Sequence, residues 1–396
     1  PGANFEESND NVVYIQDLWV MFDSSMAGLG FNAQLGRIGI AVSPYIFMRP
    51  DNTPYYVNER WDNGRWAVDG VNLAFNFGAA KFNVFGGRTS DNISTTDGSG
   101  IQPMFAGQSG IPFTPGGSRP RGFASGGLFE IDRLLGATLN VPLTQNGSLN
   151  LAYLWLRSDT VVPIGTDTAN GVNVLGGDVR FNFGGPTLEA GYAQSNVVYN
   201  GDNVIDSDNA AWYARLGWNQ DRWGVNVGYR MIEPQFGAPG YWGRIGIWWN
   251  PVDIQGFMGD AWFNLTDSVR LTASAEMYQG TDTTIGLVTG LSDDDEIRRF
   301  MIGLAYKLNN SWDFGLGYEH VEWDLANRGL FVGGKPIERW WNIGFGYTLS
   351  NNTSVKLMWQ ISDYDGKGVV GFNPFAGGAS ARARGGIATA QVTVKL

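Results

Sequence analysis

Alternation with a period of two, sustained over long runs, constrains this chain more than any other feature. Val71-Asn72-Leu73-Ala74-Phe75-Asn76-Phe77 sets apolar side chains on every second position, and Trp223-Gly224-Val225-Asn226-Val227-Gly228-Tyr229-Arg230 and Trp341-Asn342-Ile343-Gly344-Phe345-Gly346-Tyr347 repeat the pattern. Successive side chains of a strand point to opposite faces, so these runs predict strands with one apolar and one polar face. The runs span about 9 to 12 residues, longer than the usual strand of about 5 or 6 and close to the length a tilted strand needs to cross a bilayer. No apolar run approaches the roughly 18 residues of a membrane-spanning helix, which excludes a helical membrane protein.

Composition narrows the chemistry. Of 396 residues none is Cys and one is His, which removes disulfide scaffolds, thiolate metal sites, cysteine nucleophiles and His-rich metal cages. His320 beside Glu319 lacks any nucleophile signal around it and reads as an ordinary histidine at a strand end rather than as part of a lipase-like triad, so an enzyme is not expected. A formal charge of −11 argues against nucleic acid as a partner. The sequence begins at Pro1 rather than Met, so either a targeting segment has been removed or the chain is a truncated product.

Connections between the predicted strands alternate strictly in length. Tight turns fall at Gly78-Ala79, Thr144 to Ser148, Gly184 to Pro186, Gln220 to Arg222, Leu265 to Asp267, Asn309 to Ser311 and Ser350 to Asn352, with a looser one at Asp23 to Gly30. Long segments cover roughly 43–69, 89–126, 158–172, 196–209, 233–253, 280–296, 324–337 and 364–386. Short turns on one side and long loops on the other mark an outer-membrane barrel. A propeller has a similar repeat length, but each repeat here holds two long strands rather than four short ones. The expected fold is therefore all-β: one transmembrane antiparallel up-and-down β-barrel over residues 1–396, with 1–11 as an N-terminal segment. Counting from Val12 to Phe22 through Ala388 to Leu396 gives 17 strands, and bacterial barrels are normally even. Either an eighteenth strand precedes residue 12, the favoured count, or one segment is mis-split and there are 16.

The two faces sort cleanly. Phe181 and Phe183, Trp212 and Leu216, Val225 and Val227, Leu271 and Ala273, Ile302 and Leu304, Phe314 and Leu316, Ile343 and Phe345, and Val392 and Val394 share the phase expected to meet lipid. A charge there costs about 2 to 4 kcal/mol at mid-bilayer. Trp218, Trp223, Tyr306, Trp312 and Tyr347 recur beside tight turns, as an interfacial aromatic girdle would. The opposite phase is expected to line water, because a barrel this wide cannot fill its interior with strand side chains. Pore-lining candidates on it are Arg180, Arg215, Arg230, Arg270, Glu276, Arg299, Glu189 and Lys356. Counting the clearest strands gives nine basic lumen residues, adding Lys81, Lys307 and Lys395, against five acidic, adding Asp178, Asp313 and Glu319. Several of the basic ones lie near tight turns, which suggests either an anion-favouring collar or a solvated rim paired with acidic neighbours. The segment 89–126 is a candidate constriction loop, with Arg119 and Arg121 facing Asp91 or Asp97, or else a vestibule loop; the segment 43–69, rich in Tyr, Trp and Arg, is the second candidate. Acidic clusters at Asp202, Asp206 and Asp208, at Asp293, Asp294, Asp295 and Glu296, and at Asp363 with Asp365 raise a loop calcium site as one reading and a solvated surface as the default, so no cofactor is expected.

The stretch Leu35-Gly36-Arg37-Ile38-Gly39-Ile40, then Asp69-Gly70-Val71, the hairpin ending Phe85-Gly86-Gly87-Arg88, and the close from Gly385 to Leu396 resemble the barrel portion of S-layer-homology porins. The resemblance implies a homotrimeric diffusion channel in the bacterial outer membrane, surrounded by lipid and lipopolysaccharide. Cell-wall or S-layer contact would pass through a peptidoglycan-binding region that this sequence does not contain. Two functional readings follow: a water-filled channel for small hydrophilic solutes and ions with a weak anion preference, or a structural anchor whose pore is plugged.

Overall fold

A computed structural model describes residues 17–26, 29–49, 64–89, 131–164, 167–246, 248–281, 294–325, 334–367 and 382–394. The described chain is all strand and connection, with no helix. The strands of the first half are β1 (Leu18–Met26), β2 (Leu29–Ile40), β3 (Trp66–Phe77), β4 (Ala80–Thr89), β5 (Arg133–Thr144), β6 (Gly147–Ile164), β7 (Asp167–Asn182), β8 (Pro186–Tyr199), β9 (Asp202–Ile205) and β10 (Ala210–Asn219). Those of the second half are β11 (Trp223–Ile232), β12 (Arg244–Ile245), β13 (Trp248–Trp249), β14 (Ile254–Thr266), β15 (Val269–Gln279), β16 (Glu296–Lys307), β17 (Trp312–Asp324), β18 (Ile337–Ser350), β19 (Thr353–Asp365) and β20 (Arg382–Val394).

Seventeen of these pair antiparallel, each with the next along the chain, from β1 and β2 through β8, β10, β11 and β14 to β19 and β20. The short β9 folds back on β8, and β12 and β13 form a separate two-residue ladder inside one loop. This is the wall of an up-and-down transmembrane barrel. Among the described residues β1 and β20 each have a partner on one side only. The first strand, predicted over Val12–Phe22, is described over Leu18–Met26 and runs past its predicted end at Phe22, because Met26 pairs with Leu29 across the loose turn; residues 12–16 lie outside the described residues.

The seven tight turns stand where the sequence places them, whereas in the looser one at Asp23 to Gly30 the residues Asp23 to Met26 and Leu29 to Gly30 are paired strand. Two segments expected to be loops are strand over much of their length. β6 and β7 run on past Arg157 and re-pair at Val162 with Ala169 after an irregularity, and within 196–209 the end of β8 and the short β9 leave only 206–209 as the irregular link to β10. At one rung near the long-loop ends, Gly70 faces Gly87 across β3 and β4. A Cβ on Gly70 would collide with the Gly86 carbonyl, and one on Gly87 with the Asp69 carbonyl. Glycine is therefore needed there for backbone approach.

Register carries one phase around the whole wall. The outward set includes Leu216, Val227, Ile302, Phe345 and Val392, all exposed. It is apolar over four to five positions counted from the tight turns, and Trp218, Trp223, Tyr306, Trp312 and Tyr347 lie on it beside those turns. Above this band the outward phase divides. On β2 to β6 it ends in Arg37, Asp69, Arg88, Arg133 and Arg157, and on β16 to β20 in Arg298, His320, Arg339, Asp363 and Arg384. On β7, β8, β14 and β15 it ends in Asn173, Asn196, Gln255 and Gln279. The upper rim thus has a charged arc and an amide-bearing arc.

Candidate functional site

The inward phase is polar toward the tight turns and apolar toward the long loops. Near the turns it carries hydrogen-bonded rungs: Asn140 donates to Asn150, Asn150 donates to Asp178 at 2.8 Å, and Asn226 donates to Asp260 at 2.7 Å. Toward the loops the same phase presents Leu134, Leu154, Leu156, Val172, Val174, Ile232, Ile254, Ile297, Val321, Trp323 and Tyr364, all buried. The expectation of a water-lined interior therefore fails for the outer half of the wall. The wall does not fill this interior alone, in keeping with its width; connecting segments supply the packing partners.

Two such segments lie against the inner face. Residues 41–49 bring Ile46 and Phe47 into the buried cluster, and 233–253 bring Phe236, Ala238, Trp242, Ile245 and Val252. They hold each other and the wall: Met48 N–H and Trp66 Nε1 both donate to the Pro239 carbonyl at 3.1 Å, Gly237 N–H donates to Ser195 Oγ at 2.8 Å, and Tyr45 stacks on Tyr213 at 5.2 Å and lies parallel to Trp242 at 6.2 Å. Asn250 braces the second segment from within, its Oδ1 accepting from Trp242 N–H and its Nδ2 donating to Gly240 O. Burial pushes the Tyr45 phenol above its ordinary pKa, against the opposing pull of the Arg230 charge, so it serves as a neutral hydrogen-bonding group.

Where these segments meet β11, β15, β16 and β17, charges line up in alternating sign. Arg230 pairs with Glu276 at 3.4 Å, Glu276 with Arg299 at 2.8 Å, and Arg299 with Glu319 at 2.8 Å; the Glu319 carboxylate also takes Arg244 from the 233–253 segment. Arg230 further donates to Trp242 O at 2.8 Å and lies over the Tyr278 ring, and Arg244 lies over Trp340. Bringing such groups out of water is costly, and alternating partners offset that cost only where each charge is matched. Here every member of the chain has a partner of opposite sign.

Three of the sequence-predicted lining residues, Arg230, Glu276 and Arg299, thus converge in one strip. The others face inward on the polar half of the wall: Arg215 pairs with Asp260, Glu189 accepts from Tyr213 OH at 3.0 Å and stands opposite Arg180 in register, Arg270 lies over Trp262, and Lys356 is exposed beside its turn. Register adds Asp23, Asp260 and Glu338 to the inward phase, so acidic and basic side chains on the described strands balance at eight each. The basic excess read from the clearest strands disappears, because the acids that cancel it sit on less regular runs or near loop ends. Arg119, Arg121, Asp91, Asp97 and Lys395 lie outside the described residues. Arg244, Trp242 and Asn250 escape a strand-phase reading, since they belong to a loop. Their signal was the apolar and aromatic content of 233–253, unusual beside the acidic loops. Asp363 and Asp365, one of the acidic pairs raised for calcium, are engaged by arginine and lysine, and among the described residues no three acidic or His groups come together as a metal site.

An antiparallel meander of long strands, apolar outside and packed from within by the segments 41–49 and 233–253, is the architecture of the outer-membrane channels. Residues 165–367 match the family model for the Gram-negative porin, and the chain belongs to that family. It is therefore a bacterial outer-membrane β-barrel channel through which small solutes diffuse. Among solved structures it is similar to Pseudomonas aeruginosa OpdQ, at 11% identity over 94% of this chain and 90% of that one with a TM-score of 0.48. It is also similar to OccK10 (OpdN) of the same organism, at 11% identity over 96% and 92% with a TM-score of 0.48, and to its OpdK, at 14% identity over 94% and 91% with a TM-score of 0.46. No curated protein matches the sequence. The narrower likeness to S-layer-homology porins finds no support in these comparisons.

Proposed function

We propose that small hydrophilic solutes pass along the polar half of the inner wall and through a constriction where 41–49 and 233–253 fold inward, beside the strip from Arg230 to Arg244. The observation that carries this reading is the strip itself, five alternating charges at the level where apolar loop residues occupy the rest of the interior. Charged rings at narrow points set selectivity in pores. On this reading Arg180, Arg215, Arg270, Glu189 and Lys356 line the approach, and ions follow the same route. A weak anion preference fits the turn-side mouth, where Lys81, Arg180, Arg270, Lys307 and Lys356 outnumber Asp23, Glu189 and Asp313. Passive diffusion requires no cofactor, and the acidic loops act as a hydrated outer surface in contact with lipopolysaccharide. We take the assembly to be a homotrimer whose copies meet on the amide-bearing arc, where Gly259, Ala261, Ala273 and Ala275 leave the outward surface shallow.

Planar-bilayer recording tests the reading. Stepwise conductance is expected, with a reversal potential of anion sign in a salt gradient; a reversal of cation sign would overturn the selectivity. The buried apolar inner face favours a second reading, a plugged structural barrel, and on that reading no conductance is seen at any voltage.

A further inference from the structure

The charged arc of the outer rim holds a site that solute passage does not use. On β18, β19 and β20 the outward phase is apolar over Tyr347, Phe345, Ile343 and Trp341, over Val355, Leu357, Trp359 and Ile361, and over Val392, Ala390, Ala388 and Gly386. The next positions are Arg339, Asp363 and Arg384 in one rung, then Asp365 and Arg382. Outward positions recur about every 6.7 Å along a strand. With the usual tilt, four to five of them span roughly the 25 Å apolar band of an outer-membrane barrel. The cluster therefore stands at the level of the outer-leaflet headgroups and faces the lipid.

Its composition selects an anion. Arg339 and Arg384 share Asp363 at 3.4 and 3.7 Å, while Arg382 and Lys367 share Asp365 at 3.3 and 3.4 Å. Four cations meet two carboxylates, around a shallow depression of about 440 Å³ lined by Arg339, Asp363, Asp365, Arg382 and Arg384. The Arg382 and Arg384 side chains are 77% and 75% exposed, so the ion pairs leave their guanidinium groups accessible. Guanidinium forks match the geometry of phosphate and bind it through paired charge-assisted hydrogen bonds. A soluble solute would meet such groups in the lumen. Here they are on the outside wall, one rung above the acyl chains.

We propose that Arg339, Arg382 and Arg384, with Lys367, form a binding site for the phosphate of a phosphorylated glycolipid headgroup of the outer leaflet. The site rests on the outer-membrane reading of the barrel and not on the pore. Asp363 and Asp365 hold the arginines apart and in place when no phosphate is bound.

The test uses the full chain in detergent with EDTA present, and native mass spectrometry to titrate three probes: diphosphoryl lipid A, the same lipid dephosphorylated, and inorganic phosphate as competitor. Diphosphoryl lipid A is expected to bind about tenfold or more tightly than the dephosphorylated form, the equivalent of about 1.4 kcal/mol. The triple variant R339Q/R382Q/R384Q is expected to lose that margin, while Gln255→Ala with Gln279→Ala on the amide-bearing arc keeps it. Asp363→Asn with Asp365→Asn, which releases the arginines, is expected to tighten binding severalfold and provides a readout if the triple variant does not fold. Equal affinity for the two lipids, no effect of the triple variant, or no tightening in the asparagine variant would overturn the proposal. Displacement of the lipid by an equimolar amount of inorganic phosphate would assign the site to free phosphate instead and likewise overturn it. Conductance is expected to be unchanged in the triple variant, so failure of the glycolipid site and failure of the channel reading are separable.

Discussion

Glu319 ties two arginines from separate parts of the chain, Arg299 on β16 and Arg244 in the inward segment, and its side chain is fully buried. Removing one partner of a buried pair leaves uncompensated charge and typically costs about 3 to 5 kcal/mol. Glu319→Ala is expected to lower barrel stability by that order in urea unfolding, and to make single-channel current noisier as the 233–253 segment loses its tie. The two faces of a strand give a sharper contrast. Leu216→Arg, on the exposed outward phase of β10, is expected to cost about 2 to 4 kcal/mol, whereas Ser274→Arg on the inward phase of β15 is expected to stay within about 1 kcal/mol of the parent, both measured by unfolding from lipid vesicles. At this scale the sequence was readable because face follows parity. Arg230, Glu276, Arg299 and Glu319 all fall on the inward phase by counting alone. That they touch one another follows from strand-to-strand stagger, which no single strand encodes.

Among the elements, tight turns were legible from Gly, Asn and Asp between alternating runs, and the strands from their period of two. The β6 and β7 extension was not, because Pro163 near Gly165 and Thr166 reads as a loop while Val161 to Ile164 still continues the strand. The inward course of 233–253 was missed for another reason. Period rules speak of strands and helices, and an irregular segment rich in Phe, Tyr, Trp and Pro carries no face until it has something to pack against. Replacing residues 236–250 with a short Gly-Ser link is expected to leave the wall folded and to raise unitary conductance severalfold in planar bilayers. Unaltered conductance would show that this segment does not bound the pore.

For the whole molecule, sequence gave the class of fold, the sidedness of turns and loops, and the outward phase, all of which depend on repeating patterns. It overstated the interior charge, because eight basic and eight acidic inward side chains come to zero only when every strand is registered against its neighbours. The remaining basic bias is local to the turn-side mouth. Replacing Lys81, Arg270, Lys307 and Lys356 with Gln is expected to move the reversal potential toward cation selectivity by several millivolts in a tenfold salt gradient, with unitary conductance nearly unchanged.

The contacts that bind the inner segments also imply an order of assembly. Each strand of the wall pairs with the next along the chain, so the wall grows through short-range closures. The hydrogen bond from Trp66 to Pro239 joins residues 173 apart in sequence, and the Arg244 to Glu319 tie spans 75. Such distant partners meet only after the strands between them are in place, since loop closure grows more costly with separation. The inner segments therefore settle after the strands between their partners have paired, so the throat stays open while that stretch of wall forms.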